Sequence, residues 1–293
     1  IVHRNNPLTA RVVANRLWKQ FFGVGLTAAV DDLGAQGDPP SHPELLDYLA
    51  IELIDSGWDL QHVTRLILTS RTYQQDSRVR PELSEIDPEN RLLSYHPPRR
   101  LEAEIVRDNA LAVSGLLNLE IGGPSVKPYQ PDGYYSNLQF PNRSYRSTAG
   151  DNQYRRGIYM HWQRTFLHPM LATFDAPSRE DCVAIRANAN TPQQALTLLN
   201  DPTFIEAASE LAWNMIEQKE SDETRLRTMV RRSLQRDATS EDIERLTNFL
   251  NQQRELFLAD EALSVQLTSI GQSATRHNES LSPADRAEWA AWT

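Results

Sequence analysis

Four carboxylates and one imidazole lie close together between residues 31 and 47, where a loop meets a predicted helix. They are Asp31, Asp32, His42, Glu44 and Asp47. Side chains of these types bind divalent cations or exchange protons in acid–base catalysis. They are equally typical of a helix start, where acidic groups interact favourably with the helix dipole and polar side chains bond to free backbone N–H groups. These positional preferences favour capping and packing over chemistry.

A second group combines arginine, histidine and aromatic residues between positions 129 and 164. Its members are Tyr129, Tyr134, Tyr135, Arg155, Arg156, His161, Trp162 and Arg164. Aromatic rings stack on the apolar faces of sugars and arginines hold anionic groups, so this segment is a candidate site for a carbohydrate or a carboxylated ligand. Alternatively, Tyr159 and Trp162 belong to the core and the arginines cap helix C-termini. The residues alone leave both interpretations open.

Arg99 and Arg100 form a third candidate, because they could present a basic end to an anionic ligand. Glu104 and Asp108 follow them as like charges four residues apart on one helix. At least one of these carboxylates is therefore expected to pair with a buried arginine, such as Arg100, Arg107 or one from the first helix. A structural ion-pair network is the commoner cause of such clusters, so it is favoured over a ligand clamp.

The common catalytic and cofactor templates do not occur in the sequence. It contains no Walker loop, no G-x-S-x-G, no H-E-x-x-H and no EF-hand loop. The single cysteine, Cys182, excludes an internal disulfide and every multi-cysteine zinc, iron–sulfur or haem-attachment site within these residues. The seven histidines are dispersed without ligand spacing. We therefore predict neither a metal nor a cofactor in this stretch.

The composition argues against a nucleic-acid partner and against a membrane span. Thirty Lys and Arg against 39 Asp and Glu give a net charge of -9, which repels phosphate backbones and argues against nucleic acid as a partner. Apolar residues make up 40% and charged residues 24%, which is typical of a folded globular protein. The longest apolar runs fall far short of the roughly 20 residues that a membrane span needs. No membrane span is predicted.

The elements that position these groups are mostly helices. Helical periodicity and capping signals predict an N-terminal three-helix unit, a fourth helix over about 99–114 and several helices from residue 191 onward. Residues 118–149 lack periodicity and are rich in proline, glycine and tyrosine. The run Gly157–Trp162 is the one convincing strand-like segment. The predicted fold is mainly α, a multi-helix globular domain with a long irregular, aromatic-rich insertion and at most a short strand pair.

These patterns divide the chain into a helical part over 1–117, an irregular aromatic and arginine-rich insertion over 118–190, and a second helical part over 191–293. We expect the three parts to form one continuous domain. The first residue, Ile1, is not an initiator methionine, and the last predicted helix stops at Thr293 without a cap. The chain is therefore expected to be a fragment of a longer protein.

Several segments, taken in order, resemble one known family. They are Asn6-Pro7-Leu8-Thr9-Ala10-Arg11, Pro39-Pro40-Ser41-His42-Pro43-Glu44, Pro98-Arg99-Arg100-Leu101-Glu102-Ala103-Glu104, Pro128-Tyr129-Gln130-Pro131, Phe174-Asp175-Ala176-Pro177-Ser178-Arg179-Glu180 and Asn190-Thr191-Pro192-Gln193-Gln194. Over nearly its whole length the chain resembles the domain of unknown function 1553 family, the C-terminal module of planctomycete cytochrome-c-domain proteins. The resemblance implies an extracytoplasmic protein, periplasmic or secreted. Haem c is expected only in an upstream part, and the other domains of the same full-length protein are expected as partners.

The leading hypothesis is an accessory or binding domain of a secreted cytochrome-type protein that binds a carbohydrate or a partner through residues 129–162. The alternative is an enzyme, either a hydrolase or a haem-linked oxidoreductase. In that case the site is His42 with its neighbouring carboxylates, or His161 with the arginines around it.

Overall fold

A computed structural model describes residues 1–30, 32–34, 37–131, 133–137, 144–163, 166–277 and 281–293. Helices dominate these residues, and the prediction of a mainly-α fold is confirmed. The chain forms two compact units. Unit 1 contains residues 1–100 and 183–185, and unit 2 contains residues 101–182 and 186–293. This division falls after residue 100, with residues 183–185 grouped in unit 1, and the three-part organisation of the sequence stays a prediction.

Unit 1 is built on three helices and one short turn of helix. They are α1 (Pro7–Phe22), α2 (Pro43–Asp55), α3 (Leu60–Leu68) and α4 (Pro81–Ser84). Asn6 and Asp59 begin α1 and α3, because their side chains accept hydrogen bonds from free backbone N–H groups of the first turn. Trp18 and Phe22 stack at 4.1 Å between ring centres within a core formed by α1, α2 and α3.

A buried amide ties α1 to the loop that follows it. The Asn15 side chain donates to the Thr27 carbonyl and accepts from the Thr27 N–H, both at 3.0 Å. Gly25 permits this approach, since a Cβ at that position would lie 2.7 Å from Asn15 Oδ1. The loop is thus held by two hydrogen bonds in the interior, where leaving either group unpaired would be costly.

Unit 2 contains the remaining helices and the irregular segment. The helices are α5 (Ala103–Ser114), α6 (Pro169–Thr173), α7 (Pro192–Asn200), α8 (Pro202–Glu217), α9 (Asp222–Leu234), α10 (Ser240–Ala259), α11 (Glu261–Thr268), α12 (Ala274–His277) and α13 (Pro283–Trp292). Helix α8 packs on α5, and α13 packs on α8, α10 and α11. Buried Trp289 and Trp292 anchor α13 in the largest apolar cluster of the unit. No helix in the described ranges is long and apolar enough to cross a bilayer.

One carboxylate lies fully inside unit 2. Glu206 of α8 accepts hydrogen bonds from the Tyr154 hydroxyl and the Ser273 N–H, both at 2.7 Å. Gly271 makes room for it, because a Cβ at Gly271 would overlap the Glu206 carboxyl group. A single buried carboxylate therefore links α8 to the irregular segment and to the turn before α12.

The irregular segment between α5 and α6 is held largely by side chains instead of a sheet. Its regular structure within the described residues consists of three 3-10 turns and two isolated parallel bridges, Asn118–Arg155 and Val126–Met160. The strand predicted over Gly157–Trp162 is wrong, because Gly157–Tyr159 forms one of the 3-10 turns. The backbone closes on itself there: the Met160 N–H donates to the Gly157 carbonyl at 3.0 Å.

Candidate binding site

The acidic group of unit 1 does not converge on one point. Asp32 accepts the Gly34 N–H at 3.0 Å, and His42 Nδ1 lies 3.0 Å from the Ser41 hydroxyl. Glu44 is exposed in the first turn of α2. Asp31 lies outside the described residues. Among the residues that are described, no three His, Cys, Asp or Glu side chains are arranged to hold a metal ion.

Asp47, the last of that group, forms an ion pair on the surface of unit 1. The Arg11 Nε lies 2.5 Å from Asp47 Oδ1, and this hydrogen bond lowers the pKa of the Asp47 carboxyl. The pair joins α1 to α2, so the carboxylate is engaged in packing the helices. Asp32 therefore has a local role in a turn and Asp47 in a helix contact, while His42 precedes α2 without a side-chain capping hydrogen bond.

The arginine–carboxylate cluster around α5 is rearranged relative to the prediction. Glu104 pairs with Arg186, whose Nη1 lies 2.7 Å from Glu104 Oε2, an arginine that the sequence pattern did not suggest. Asp108 accepts the Gly157 N–H at 2.6 Å, and burial raises the pKa of its carboxyl. The arginine partner of Glu104 comes from 82 residues further along the chain, a distance over which local spacing carries no information. Arg99 and Arg100 are exposed at the end of unit 1.

The guanidinium groups of two buried arginines in unit 2 donate hydrogen bonds to backbone carbonyls. Arg107 donates to the carbonyls of Arg155 and Gln153 at 2.7 and 2.5 Å. Arg155, 2% exposed, donates to the carbonyl of Pro124 at 3.0 Å and to that of Gly122. Its guanidinium also lies 3.9 Å from the centre of the Tyr159 ring. The terminal nitrogens of both side chains therefore hold the irregular segment in place.

The three candidate tyrosines use their hydroxyl groups within unit 2. Tyr129 accepts the Gln272 N–H at 2.9 Å, while Tyr134 donates to the Leu167 carbonyl at 3.1 Å. Tyr135, which is buried, donates to the side chain of Gln163 at 3.1 Å. Burial raises the pKa of both the Tyr129 and the Tyr134 hydroxyl. These rings are fixed parts of the insertion, and their role toward a ligand stays a prediction.

Arg156 and His161 lie on either side of the third 3-10 turn, Gly157–Tyr159. Arg156 is half-buried, with its guanidinium 5.9 Å from the centre of the Tyr159 ring. The backbone N–H of His161 donates to the Val126 carbonyl at 2.7 Å. This hydrogen bond fixes the backbone directly before Trp162. Arg164 lies outside the described residues.

Trp162 has the most distinctive surroundings of the predicted set. The half-buried indole packs against the apolar cluster formed by Ala103, Met160, Met170, Leu171 and Phe204. One ring face lies beneath the exposed Arg179, whose guanidinium carbon is 3.8 Å from the ring centre. Indole and guanidinium thus form a cation–π pair at the surface of unit 2.

Arg179 is a residue that sequence reasoning missed as a site candidate. It lies 17 positions after Trp162 in a segment without helical or strand periodicity, and only the folded chain brings the two together. Its loop is closed by Asp175, which accepts the Ala189 N–H at 2.7 Å. Asp175 and Arg179 adopt left-handed backbone conformations with φ of 59° and 63°. Such conformations cost about 1–2 kcal/mol per non-glycine residue and concentrate at binding sites.

Residues 1–250 match the family model described as "Protein of unknown function (DUF1553)". The chain belongs to this family. The match confirms the resemblance seen in the sequence segments, and the family's description assigns no activity. Comparisons with curated proteins and with solved structures give no significant match. Trp162, Arg179 and the loop that carries Arg179 all lie within the matched part of this DUF1553 chain.

A second unusual surface of the DUF1553 chain is helix α7, which buries a polar side chain and exposes its leucines. Its buried residue is Gln194, whereas Leu196, Leu198 and Leu199 are 58%, 46% and 71% exposed. Gln194 tolerates burial because its Nε2 donates to the Thr173 carbonyl at 3.0 Å and its side chain closes a capping box. Three leucines on one short helix therefore face away from the core.

Proposed function

We propose that this chain is a non-catalytic binding domain that accepts a carbohydrate ring on the indole of Trp162, within a larger extracytoplasmic protein of the cytochrome-associated type. The observation that carries the proposal is the pairing of a half-buried indole with an exposed arginine at 3.8 Å. The setting outside the cell and beside a haem domain rests on the family resemblance.

Sugar recognition uses the two kinds of group present here. An indole face packs against the C–H surface of a pyranose ring, and a guanidinium supplies five N–H donors for ring and hydroxyl oxygens. Because Trp162 is already packed against the cluster of Ala103, Met160, Met170, Leu171 and Phe204, little side-chain freedom is lost when a ligand binds. The apolar cluster thus pre-orders the binding face.

A glycan array followed by calorimetry on the binding sugars tests this proposal. Trp162→Ala is expected to weaken binding by about tenfold or more, because the apolar contact between the indole face and the C–H surface of the sugar is lost. Trp162→Phe keeps an aromatic face and is expected to lose less. Phe249→Ala is the matched control, because Phe249 is a 58% exposed aromatic on α10. A blank array for the wild type, or equal binding by Trp162→Ala, overturns the proposal.

The exposed leucines of α7 favour a second function, docking onto another domain of the same full-length protein. Soluble domains rarely leave a cluster of large aliphatic side chains uncovered unless that surface binds a partner. The test is sedimentation of this chain with the neighbouring domain added in trans. Leu196→Lys combined with Leu199→Lys is expected to abolish association, while Leu234→Lys, which alters a leucine of the same 58% exposure, is expected to leave it intact. Equal association of all variants refutes docking at α7.

A further inference from the structure

Arg179 lies beside Trp162 and forms no ion pair with any carboxylate of the described residues. Its guanidinium lies over an indole ring, and no carboxylate of the described residues lies within 4.0 Å of it. Arg186, by contrast, is neutralised, with its Nη1 at 3.1 Å from Glu102 and 2.7 Å from Glu104. Of these two arginines, Arg179 is the one available to an anion.

A carboxylate of a bound ligand can replace the present partner of Arg179. At an exposed site a cation–π contact is weak, and a bidentate, charge-assisted pair with a carboxylate exceeds it when the ligand shields the pair from water. An incoming carboxylate would therefore draw the guanidinium away from the ring. The same movement uncovers the indole face on which a sugar stacks, so that one side-chain rotation creates both contacts.

The backbone of the loop holds Arg179 at this position. Asp175 closes the loop by accepting the Ala189 N–H at 2.7 Å and the Gln194 side chain at 3.3 Å. The Ser178 hydroxyl accepts the Glu180 N–H at 3.3 Å, which shapes the turn that presents Arg179. The guanidinium can thus move by side-chain rotation while its anchor stays beside the indole.

We propose that the ligand is an anionic saccharide, a uronic acid whose carboxylate pairs with Arg179 while its pyranose ring stacks on Trp162. This inference rests on the proposed carbohydrate function and adds the residue that sets specificity. A neutral sugar must displace the Arg179 guanidinium from the indole face without pairing with it, whereas the carboxylate of a uronate pairs with this guanidinium.

Calorimetry on the full chain with two matched sugars tests the inference. The probes are the α-1,4-linked trisaccharide of galacturonic acid and the same trisaccharide with its carboxylates reduced to alcohols. The wild type is expected to bind the acidic sugar about tenfold or more tightly than the neutral one at low salt, with a preference that shrinks as salt rises. Arg232→Ala, which removes an exposed arginine of α9, is the control variant and is expected to behave as the wild type.

Substitution of Arg179 separates the two contacts. Arg179→Ala is expected to lose about tenfold or more in affinity for the acidic sugar, and to bind the neutral sugar as well as the wild type or better, because the indole is uncovered. Arg179→Lys is expected to recover only part of the acidic affinity, since an ammonium cannot form the bidentate pair.

The outcomes distinguish this inference from the function beneath it. If the wild type binds the neutral sugar as well as the acidic one and Arg179→Ala changes neither, the uronate inference is wrong while carbohydrate binding stands. If neither trisaccharide binds and the array identifies only neutral glycans, the inference is wrong as well. If the array is blank too, both the inference and the proposed function fail.

Discussion

His168 is expected to make unit 2 sensitive to mild acid. It precedes α6 and is 6% exposed, with Nε2 at 2.7 Å from the Tyr129 carbonyl. Its Nδ1 accepts the Met170 N–H at 3.3 Å, so it caps the helix as an acceptor. The neutral ring with its proton on Nε2 satisfies both contacts. A second proton would face the Met170 N–H and place a charge in the interior.

Burial, with a smaller contribution from the charge of Arg107, lowers the pKa of His168 from 6.5 to about 4. In the unfolded chain the imidazole titrates at its ordinary value, so between these two pH values only the unfolded state takes up the proton. The free energy of unfolding therefore falls as the pH drops from 6.5 toward 4, and this contribution levels off below 4. At 1.36 kcal/mol for each tenfold difference in proton affinity, the full effect is about 3 kcal/mol.

Urea denaturation followed by circular dichroism at several pH values between 7.5 and 4 measures this effect, with His168→Asn as the matched variant. Asparagine still accepts a hydrogen bond at the helix start but does not titrate. Carboxylates elsewhere affect both proteins equally, so the difference between the two curves isolates His168. The wild type is expected to lose about 3 kcal/mol more than the variant over this range. Parallel curves would refute the assignment of His168 as a buried neutral cap.

Two further predictions concern close packing. Gly271 and Gly122 both have φ of 88°, but a Cβ at Gly271 would overlap Glu206, whereas open space surrounds Gly122. Gly122→Ala is expected to lower the free energy of unfolding by about 1–2 kcal/mol, and Gly271→Ala by several kcal/mol. Equal melting temperatures of the two variants would contradict this. Asn15→Ala leaves both backbone groups of Thr27 unpaired in the interior, so urea denaturation is expected to show a loss of roughly 2–4 kcal/mol. Asn15→Asp is expected to lose more, because it buries a carboxylate with one oxygen facing the Thr27 carbonyl. Unchanged stability of Asn15→Ala would show that water replaces the amide.

Helix starts were predictable because their chemistry is local. Thr191 before Pro192, Asp201 before Pro202 and Ser282 before Pro283 all begin helices as their side chains indicate. Which side chains of a helix would be buried was harder to predict from the sequence. In α7 the leucines are exposed, and Gln194 is buried because its amide donates to the Thr173 carbonyl and to the Asp175 side chain.

The candidate site was predictable in part, and the limits have a physical origin. Trp162 stood out by residue type, whereas Arg179 acquires its place only when the loop from Asp175 folds back over the indole. The strand expected at Gly157–Trp162 does not form because backbone pairing of this run with the described residues is limited to one isolated bridge, Val126–Met160, while Gly157–Tyr159 closes a 3-10 turn. Arg107 and Arg155 bond to carbonyls outside this run and hold segments that precede it.

The two buried arginines have a consequence for variation within the irregular segment. Arg107 donates hydrogen bonds to the main-chain carbonyls of Gln153 and Arg155. The Arg155 side chain donates to those of Gly122 and Pro124. Every amino acid presents a carbonyl, so apart from Arg155 itself and the glycines with positive φ this anchoring does not require particular side chains in the loop. The exposed positions beside the anchors, Leu119 and Ile121 among them, are expected to tolerate exchange. Two fixed guanidinium groups thus give unit 2 a surface on which new recognition sequences could be grafted.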